Sequence, residues 1–215
     1  MDVDISELSN KNRKRYSKRY DDIGYDIRTI GWGSERQQRL RFKQTFYSGV
    51  KLEGKELLDI GCGFGDYLAF LFDQNIDVGS YLGWDLSSKL ISEARERYGE
   101  YGEATFNVQD LFEVEPEPVA DVAVMIGLLN LKYEEVDNYE YSRKAIQKAF
   151  ELVREGLVVD FLSVHRTESY PKEDFVFYHD PSKMMNHALG LTNDVRLLHD
   201  YDPIPQKEFM LVLLK

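Results

Sequence analysis

The chain has 215 residues, of which 43% are hydrophobic and 30% charged, and its net charge is −11. That length suits a single domain with one core. No apolar run approaches the roughly 20 residues of a membrane span, and the start MDVDISELSN lacks the features of a secretion signal, so a cytoplasmic protein is expected. The lone Cys62 excludes an internal disulfide and a cysteine-based zinc cluster, the four histidines show no metal-ligand spacing, and the acidic balance opposes broad binding to nucleic acid or anionic membrane, so neither metal nor those partners are expected.

The first predicted element departs from that balance. KNRKRYSKRY, from Lys11 to Tyr20, carries six Lys or Arg in ten residues. RNA-binding segments use such a mixture, but Tyr16, Tyr20, Ile23, Ile27 and Ile30 fall at alternating spacings of four and three, which predicts an amphipathic helix with a solvated basic face. Gly31-Trp32-Gly33 breaks the pattern, and Ser34 with Gln37 forms a capping box that opens a second helix to about Val50. Residues 1–50 therefore read as a helical extension, a cap or lid, ahead of the main fold at 51–215.

From there strands and helices alternate. ELLDI is followed by a helix through Leu68 and Leu71, SYLGWD by a helix through Ile91, Ala94 and Tyr98, and then come ATFNVQ and VADVAVMIG. A helix through Tyr141, Ala145, Ala149 and Val153 leads into GLVVDFLS. Apolar strands separated by helices predict a parallel sheet covered on both faces. Residues 164–180 lack clear periodicity, Asp180-Pro181 caps a short helix over Met184, Met185, Ala188 and Leu189, and DVRLLHDY and EFMLVLLK, joined by DPIPQ, predict an antiparallel pair.

The most informative stretch is LLDIGCGFGDY, from Leu57 to Tyr67. An apolar strand ending in Asp59, then Gly61, Gly63 and Gly65, then a helix, describes a turn that lets backbone approach a ligand. A dinucleotide fingerprint needs glycine three places after Gly63, where this chain has Asp66. Asp85 ends the second strand and Asp110 the third, so the acids and the turn gather at strand C-termini, where open α/β sheets bind ligands.

With these motifs the chain resembles the class I S-adenosylmethionine-dependent methyltransferases over about residues 52–215. The resemblance implies an α/β, doubly wound, mostly parallel seven-stranded Rossmann-like sheet with an antiparallel C-terminal strand. It also implies that Asp59, Gly61, Cys62, Gly63 and Gly65 line the methionine and ribose part of S-adenosyl-L-methionine, that Asp85 accepts from both ribose hydroxyls, and that Leu86 flanks the adenine. Asp110 would accept from the adenine amino group, the Leu111 amide would lie near a ring nitrogen, and Ile126 and Gly127 would offer carbonyls to the cofactor's amino group. The chemistry agrees: a carboxylate suits free hydroxyls and rejects a 2′-phosphate, and Asp66 at a helix start repels a pyrophosphate but tolerates a sulfonium. Cys62 reads as a small packed residue, with no His or Lys near it in sequence to activate it.

Methyl transfer is an in-line displacement, for which the protein mainly positions the acceptor. A phenol or alcohol would want a base, and His165, Tyr178 and His179 are the candidates. GLLNLKY after the fourth strand lacks the motif that binds the amino group of adenine or glutamine, and no Pro-Cys nucleophile for cytosine is present. Trp32 and Arg41 lie directly before the main fold and are further candidates to bind the cofactor, with Arg41, or else Arg28, meeting a carboxylate of the cofactor or the acceptor. The expected acceptor is a small molecule; the alternatives are an RNA or protein methyltransferase that uses the basic helix, or a non-catalytic cofactor-binding protein.

Overall fold

The computed structural model describes residues 5–165, 170–201 and 206–215. Seven strands, β1 (Glu56–Ile60), β2 (Ser80–Asp85), β3 (Ala104–Val108), β4 (Ala120–Met125), β5 (Val153–Leu162), β6 (Asp194–Leu198) and β7 (Glu208–Leu214), form one sheet in the order β3-β2-β1-β4-β5-β7-β6. The first five pair in parallel, and β7 runs antiparallel to both β5 and β6. The strand order reverses between β1 and β4, and at such a point diverging connections leave a crevice at the strand ends.

Pleating sends alternate residues to opposite faces. On β4, Val122 and Val124 pack with Tyr67, Leu68 and Leu71 of α3 (Asp66–Asp73) and with Ile91 and Ala94 of α4 (Ser88–Tyr98). Ala123 and Met125 pack with Ala145, Ile146 and Ala149 of α5 (Asn138–Glu151) and with Met184 and Ala188 of α6 (Pro181–Leu189). Each fully buried Leu, Val or Ile contributes on the order of 1.5–3 kcal/mol, so the two layers together clamp the sheet. The alternating sequence pattern therefore described the architecture correctly, with a doubly wound sheet and an antiparallel last strand.

Several boundaries differ from expectation. The first helix, α1 (Ile5–Ile23), stops at Gly24, whose φ of +75° leaves the helical region, so Ile27 and Ile30 follow in turns rather than extending the stripe. The second, α2 (Glu35–Gln44), starts at Ser34 as expected, with the Ser34 hydroxyl accepting from the Gln37 amide at 3.3 Å. It gives way at Thr45–Tyr47 to a 3₁₀ turn short of Val50. Val153 opens β5 instead of closing α5, because Leu152 ends the helix and the chain enters the strand without a loop. Of the DPIPQ connection, all but Gln206 falls on residues 202–205, outside the described residues.

The basic helix is not simply solvated. It lies against α4 and the loop after β4. The Tyr20 hydroxyl donates to Glu93 at 2.6 Å, Arg13 donates to the Leu86 carbonyl at 3.3 Å, Asn12 donates to the Tyr133 hydroxyl at 2.7 Å, and Lys11 pairs with Glu135 at 2.5 Å. This strap of polar contacts holds α1 across the strand ends.

Candidate functional site

The turn after β1 is folded back onto β2 by two amides: those of Gly61 and Cys62 both donate to the Trp84 carbonyl, at 2.7 and 2.9 Å. Gly61 and Gly63 hold φ of +81° and +56°, a region where a Cβ is strained, and a Cβ at Gly61 would also lie 2.7 Å from Leu128. Glycine there keeps the backbone open to the crevice. Gly65 serves differently: at φ +81° it caps α3, and its Cβ direction is closed by Tyr98 and Phe106 at 3.0 Å.

Three carboxylates surround this turn. Asp85 accepts from the Ser87 amide at 2.8 Å and from the Gly63 amide at 3.2 Å, so the end of β2 is tied to the glycine turn. Burial pushes its pKa up to about 6 against the opposing pull of those amides. Asp59, only 4% exposed, is pushed up to about 7 by burial, while the donated Tyr81 hydroxyl pulls the other way. Asp66 accepts from Gln38 of α2 at 2.9 Å and is also raised by burial. Clustered acids short of cationic partners are costly in an empty crevice and become favourable beside a positive ligand.

The crevice has two halves that meet at Tyr16 and Gly127. Over β1, β2 and β4 it is lined by Asp59, Gly61, Cys62, Gly63, Asp85, Ile126, Gly127 and Trp32, and it continues over β3 past Leu86, Asp110 and Leu111 to Tyr133 and Tyr141. Asp110 is buried and accepts from the Phe112 amide at 3.0 Å, capping a short 3₁₀ turn. The other half is a cavity of about 620 Å³ roofed by α1 and the loop through Trp32, whose lining includes Arg15, Arg19, Arg28, Arg41, Asn130, Tyr170, Phe175 and Gln206.

All the residues predicted to hold the cofactor except Gly65 and Arg41 thus border the half of the crevice around the glycine turn and β3. Arg41 borders the larger cavity, and the carboxylates it meets are those of the chain itself. Its guanidinium lies 2.5 Å from Glu208 and 3.5 Å from Asp160, and stacks 4.6 Å over Trp32. The pairing is incomplete, since Arg41 Nε and Asp160 Oδ2 are buried without a hydrogen-bond partner of good geometry among the described residues. Asp160 also accepts from the Gly127 amide, which fixes the start of the loop after β4. Arg28 pairs with Asp26 at 2.8 Å.

The three base candidates lie outside the crevice. The His179 backbone bonds beside β5, to Leu162 and Val164, which turns its ring inward against Phe161 and Phe177. There its Nε2 lies 2.9 Å from the Ser142 hydroxyl, and burial lowers its pKa to about 3. The Tyr178 hydroxyl is buried and accepts from the Glu173 amide and the Gln206 side chain, both at 3.3 Å. His165 is exposed, its ring 5.8 Å from that of His199. The Cys62 thiol is buried and its pKa raised by that burial, which suits a packing residue.

Sequence reasoning did not single out Tyr16, Arg15, Arg19 or Asn130. Tyr16 borders both halves, yet in the sequence it was one member of an apolar stripe. Asn130, in GLLNLKY, was available as a polar residue directly beyond a strand end at the switch point. Among the described residues no group of three or more His, Cys, Asp or Glu is placed to hold a metal ion, and no helix is long and apolar enough to cross a membrane.

Residues 58–159 match the family described as "Methyltransferase domain". No curated relative matches the chain by sequence. Among solved structures the fold is similar to magnesium protoporphyrin IX methyltransferase from Synechocystis PCC 6803 with bound SAH, at 16% identity and a TM-score of 0.67 over 99% of this chain and 100% of that one. It is also similar to the DhpI-SAH complex, at 16% identity and a TM-score of 0.64 over 95% of both chains. The N-terminal domain of EvdMO1, crystallised in the presence of SAH and D-fucose, gives 13% identity and a TM-score of 0.60 over 99% of this chain and 97% of that one. Residues 58–159 thus carry a methyltransferase domain, and the chain has the fold of S-adenosylmethionine-dependent methyltransferases. The residues present fit that cofactor: Asp59, Asp66 and Asp85 border the crevice beside the glycine turn, where buried acids suit a positively charged sulfonium.

Proposed function

We propose that this chain transfers a methyl group to a small-molecule acceptor held in the cavity between α1, the Trp32 loop and the residues after β5. The observation that carries the reading is continuity: Tyr16, Trp32 and Gly127 border both the glycine-turn half of the crevice and the cavity of about 620 Å³, a size suited to a small molecule. When bound, S-adenosylmethionine supplies a methyl group on a positively charged sulfur. Asp59, Asp66 and Asp85 favour that charge, and Asp85 and Asp110 accept hydrogen bonds at the two ends of the nucleoside. Tyr16 stays protonated, its pKa pushed up to about 12 by burial, so it positions by packing and hydrogen bonding rather than as a base. Catalysis rests on alignment of an acceptor atom behind the methyl carbon.

In this reading residues 1–50 cap the methyltransferase domain at 51–215, since α1 roofs the crevice through side-chain contacts at both of its flanks. The cytoplasmic location expected from the sequence belongs to the same proposal. Solved structures of similar fold with small molecules in their descriptions, magnesium protoporphyrin IX methyltransferase for one and the N-terminal domain of EvdMO1 with SAH and D-fucose for another, support the choice of acceptor.

Calorimetric titration of S-adenosylmethionine and S-adenosylhomocysteine into the wild-type chain and Asp85→Ala tests the cofactor half. Micromolar binding that the variant loses is expected. Turnover to S-adenosylhomocysteine in a metabolite panel then tests the acceptor half, and binding without turnover of any small molecule would sink it.

A further inference from the structure

We infer that the acceptor bears an oxyanion, a carboxylate or a phosphate-type group, and that Arg15 and Arg19 of α1 hold it at the mouth of the large cavity. The inference deepens the proposed function and rests on it.

The first support is a local reversal of charge. In a chain of net charge −11, the described lining of this cavity contains four arginines and a single acid, Glu173. The second is the state of those arginines. Arg41 is compensated by Glu208 and Asp160, and Arg28 by Asp26. Arg15 has no ion pair among the described residues, and Arg19 donates only to the uncharged carbonyl of Arg28. Lys11, on the same helix, shows the ordinary alternative, since it reaches Glu7 and Glu135. Two like charges four residues apart on one helix repel, so their joint placement at the cavity mouth is unfavourable until an anion is shared between them. Two guanidiniums set side by side are also the donor geometry that grips an oxyanion through paired N–H bonds.

The rest of the cavity describes the remainder of the molecule. Trp32, Ile30 and Phe175 offer apolar surface for its body. Deeper, Asn130 accepts at Oδ1 from the Leu162 amide at 2.9 Å while its buried Nδ2 has no partner among the described residues. A buried amide donor left open costs stability unless a ligand acceptor meets it. The oxyanion is thus a handle at the mouth, and the reacting atom lies inward, where Gly127 and Trp32 join the two halves.

The outward face of α1 supplies the control. Lys14 and Lys18 are exposed on the same helix and border none of the crevice, so they carry the same charge away from the cavity. The test uses the full chain saturated with S-adenosylhomocysteine, titrated calorimetrically with benzoate and phenyl phosphate and with the neutral benzamide and benzyl alcohol. Expected are binding of the anions about tenfold or more tighter than the neutral molecules, and about tenfold or more weakening in Arg15→Gln/Arg19→Gln, the scale of one charge-assisted pair. Lys14→Gln/Lys18→Gln should bind them as the wild type does, S-adenosylhomocysteine affinity should hold in both variants, and the thermal midpoint should fall in neither, since loss of the arginines relieves a repulsion.

Equal affinity for anions and neutral molecules, or anion binding that survives loss of both arginines, would overturn the proposal. So would a single-stranded RNA oligonucleotide that binds and is released by either double variant while the small anions do not bind, because the basic helix would then serve nucleic acid. Failure of the wild type to bind S-adenosylhomocysteine would be a different result, removing the methyltransferase reading and the proposal with it.

Discussion

The two halves of the crevice are built by different means. In the half proposed for the cofactor the layout is local: Asp59, the glycine turn, Asp85 and Asp110 each sit within a few residues of a strand end, and backbone amides of the same loops hold Asp85 and Asp110. In the acceptor half the lining comes from α1, the Trp32 loop, the loop after β4 and the segment after β5, which meet only because the sheet brings them together. The first half is acidic and the second basic. A strand–turn–helix unit can carry a cofactor site almost unchanged, while the loops and the cap around it are free to set the acceptor.

Breaking the acceptor half should have the largest effect on stability. Arg41→Ala leaves Asp160 and Glu208 buried with no cation, at 0% and 2% exposure, and removal of one partner from a buried ion pair costs about 3–5 kcal/mol. Chemical denaturation should show that loss. Adding Asp160→Asn and Glu208→Gln to Arg41→Met should recover most of it, because a neutral set no longer strands a charge. If Arg41→Ala were as stable as wild type, the triad would not be what holds β5 and β7 to α2.

Asp85→Asn should show the reverse pattern in the cofactor half. It removes a charge that burial already disfavours, so the thermal midpoint should hold or rise, while S-adenosylmethionine affinity falls by about 2–3 kcal/mol, the scale of a charge-assisted hydrogen bond and a lost counter-charge. A variant that loses both stability and binding would mean that Asp85 is there for the fold.

The same acids predict a pH dependence. Asp59 and Asp85 are raised to about 7 and about 6 in the folded chain, so between pH 4 and 7 the folded state binds more protons than the unfolded one. Their contribution to stability is present below about pH 4 and is lost as pH rises through 6 to 7. Cofactor binding runs the opposite way and should strengthen over that interval as the acids ionise. Thermal unfolding at pH 5 and pH 7.5, with and without S-adenosylmethionine, should show stabilisation by the ligand that is larger at the higher pH; equal stabilisation at both would show that these acids do not face the sulfonium.

The smallest expected effect sharpens the part of the cap. Tyr20→Phe removes the 2.6 Å bond to Glu93, worth about 0.5–1.5 kcal/mol. If α1 caps the crevice, S-adenosylhomocysteine should leave the variant faster by stopped-flow fluorescence, with global stability little changed.

Particular residues show what reading the sequence could reach. The order of strands and helices was legible because apolar periodicity is a local property, and β2 begins and ends where SYLGWD does. The errors fell at helix ends, at Gly24 and at Leu152, where backbone conformation and the demand of the next element decide. Asp59, Asp85 and Asp110 were legible as a group because each follows from a strand end. Arg41 was legible as an arginine in search of a carboxylate, but two of the chain's own carboxylates, Asp160 and Glu208, take that place. His179 was legible as a candidate base, and the inward turn of its ring beside β5 made it a buried neutral side chain instead.

The amino-acid sequence by itself determined the alternation of elements, the glycine turn and the acids at the strand ends, because hydrophobic period, positive-φ turns and the residue after a strand are all set within a short span of chain. Only the tertiary structure decided that Arg15, Arg19, Trp32, Asn130 and Phe175 border one cavity and that Arg41 is held among acids. Those neighbours lie far apart in the chain, and they meet because burial of the two apolar faces of the sheet sets α1 and the loops after β4 and β5 over the same strand ends, a long-range packing that no local pattern specifies.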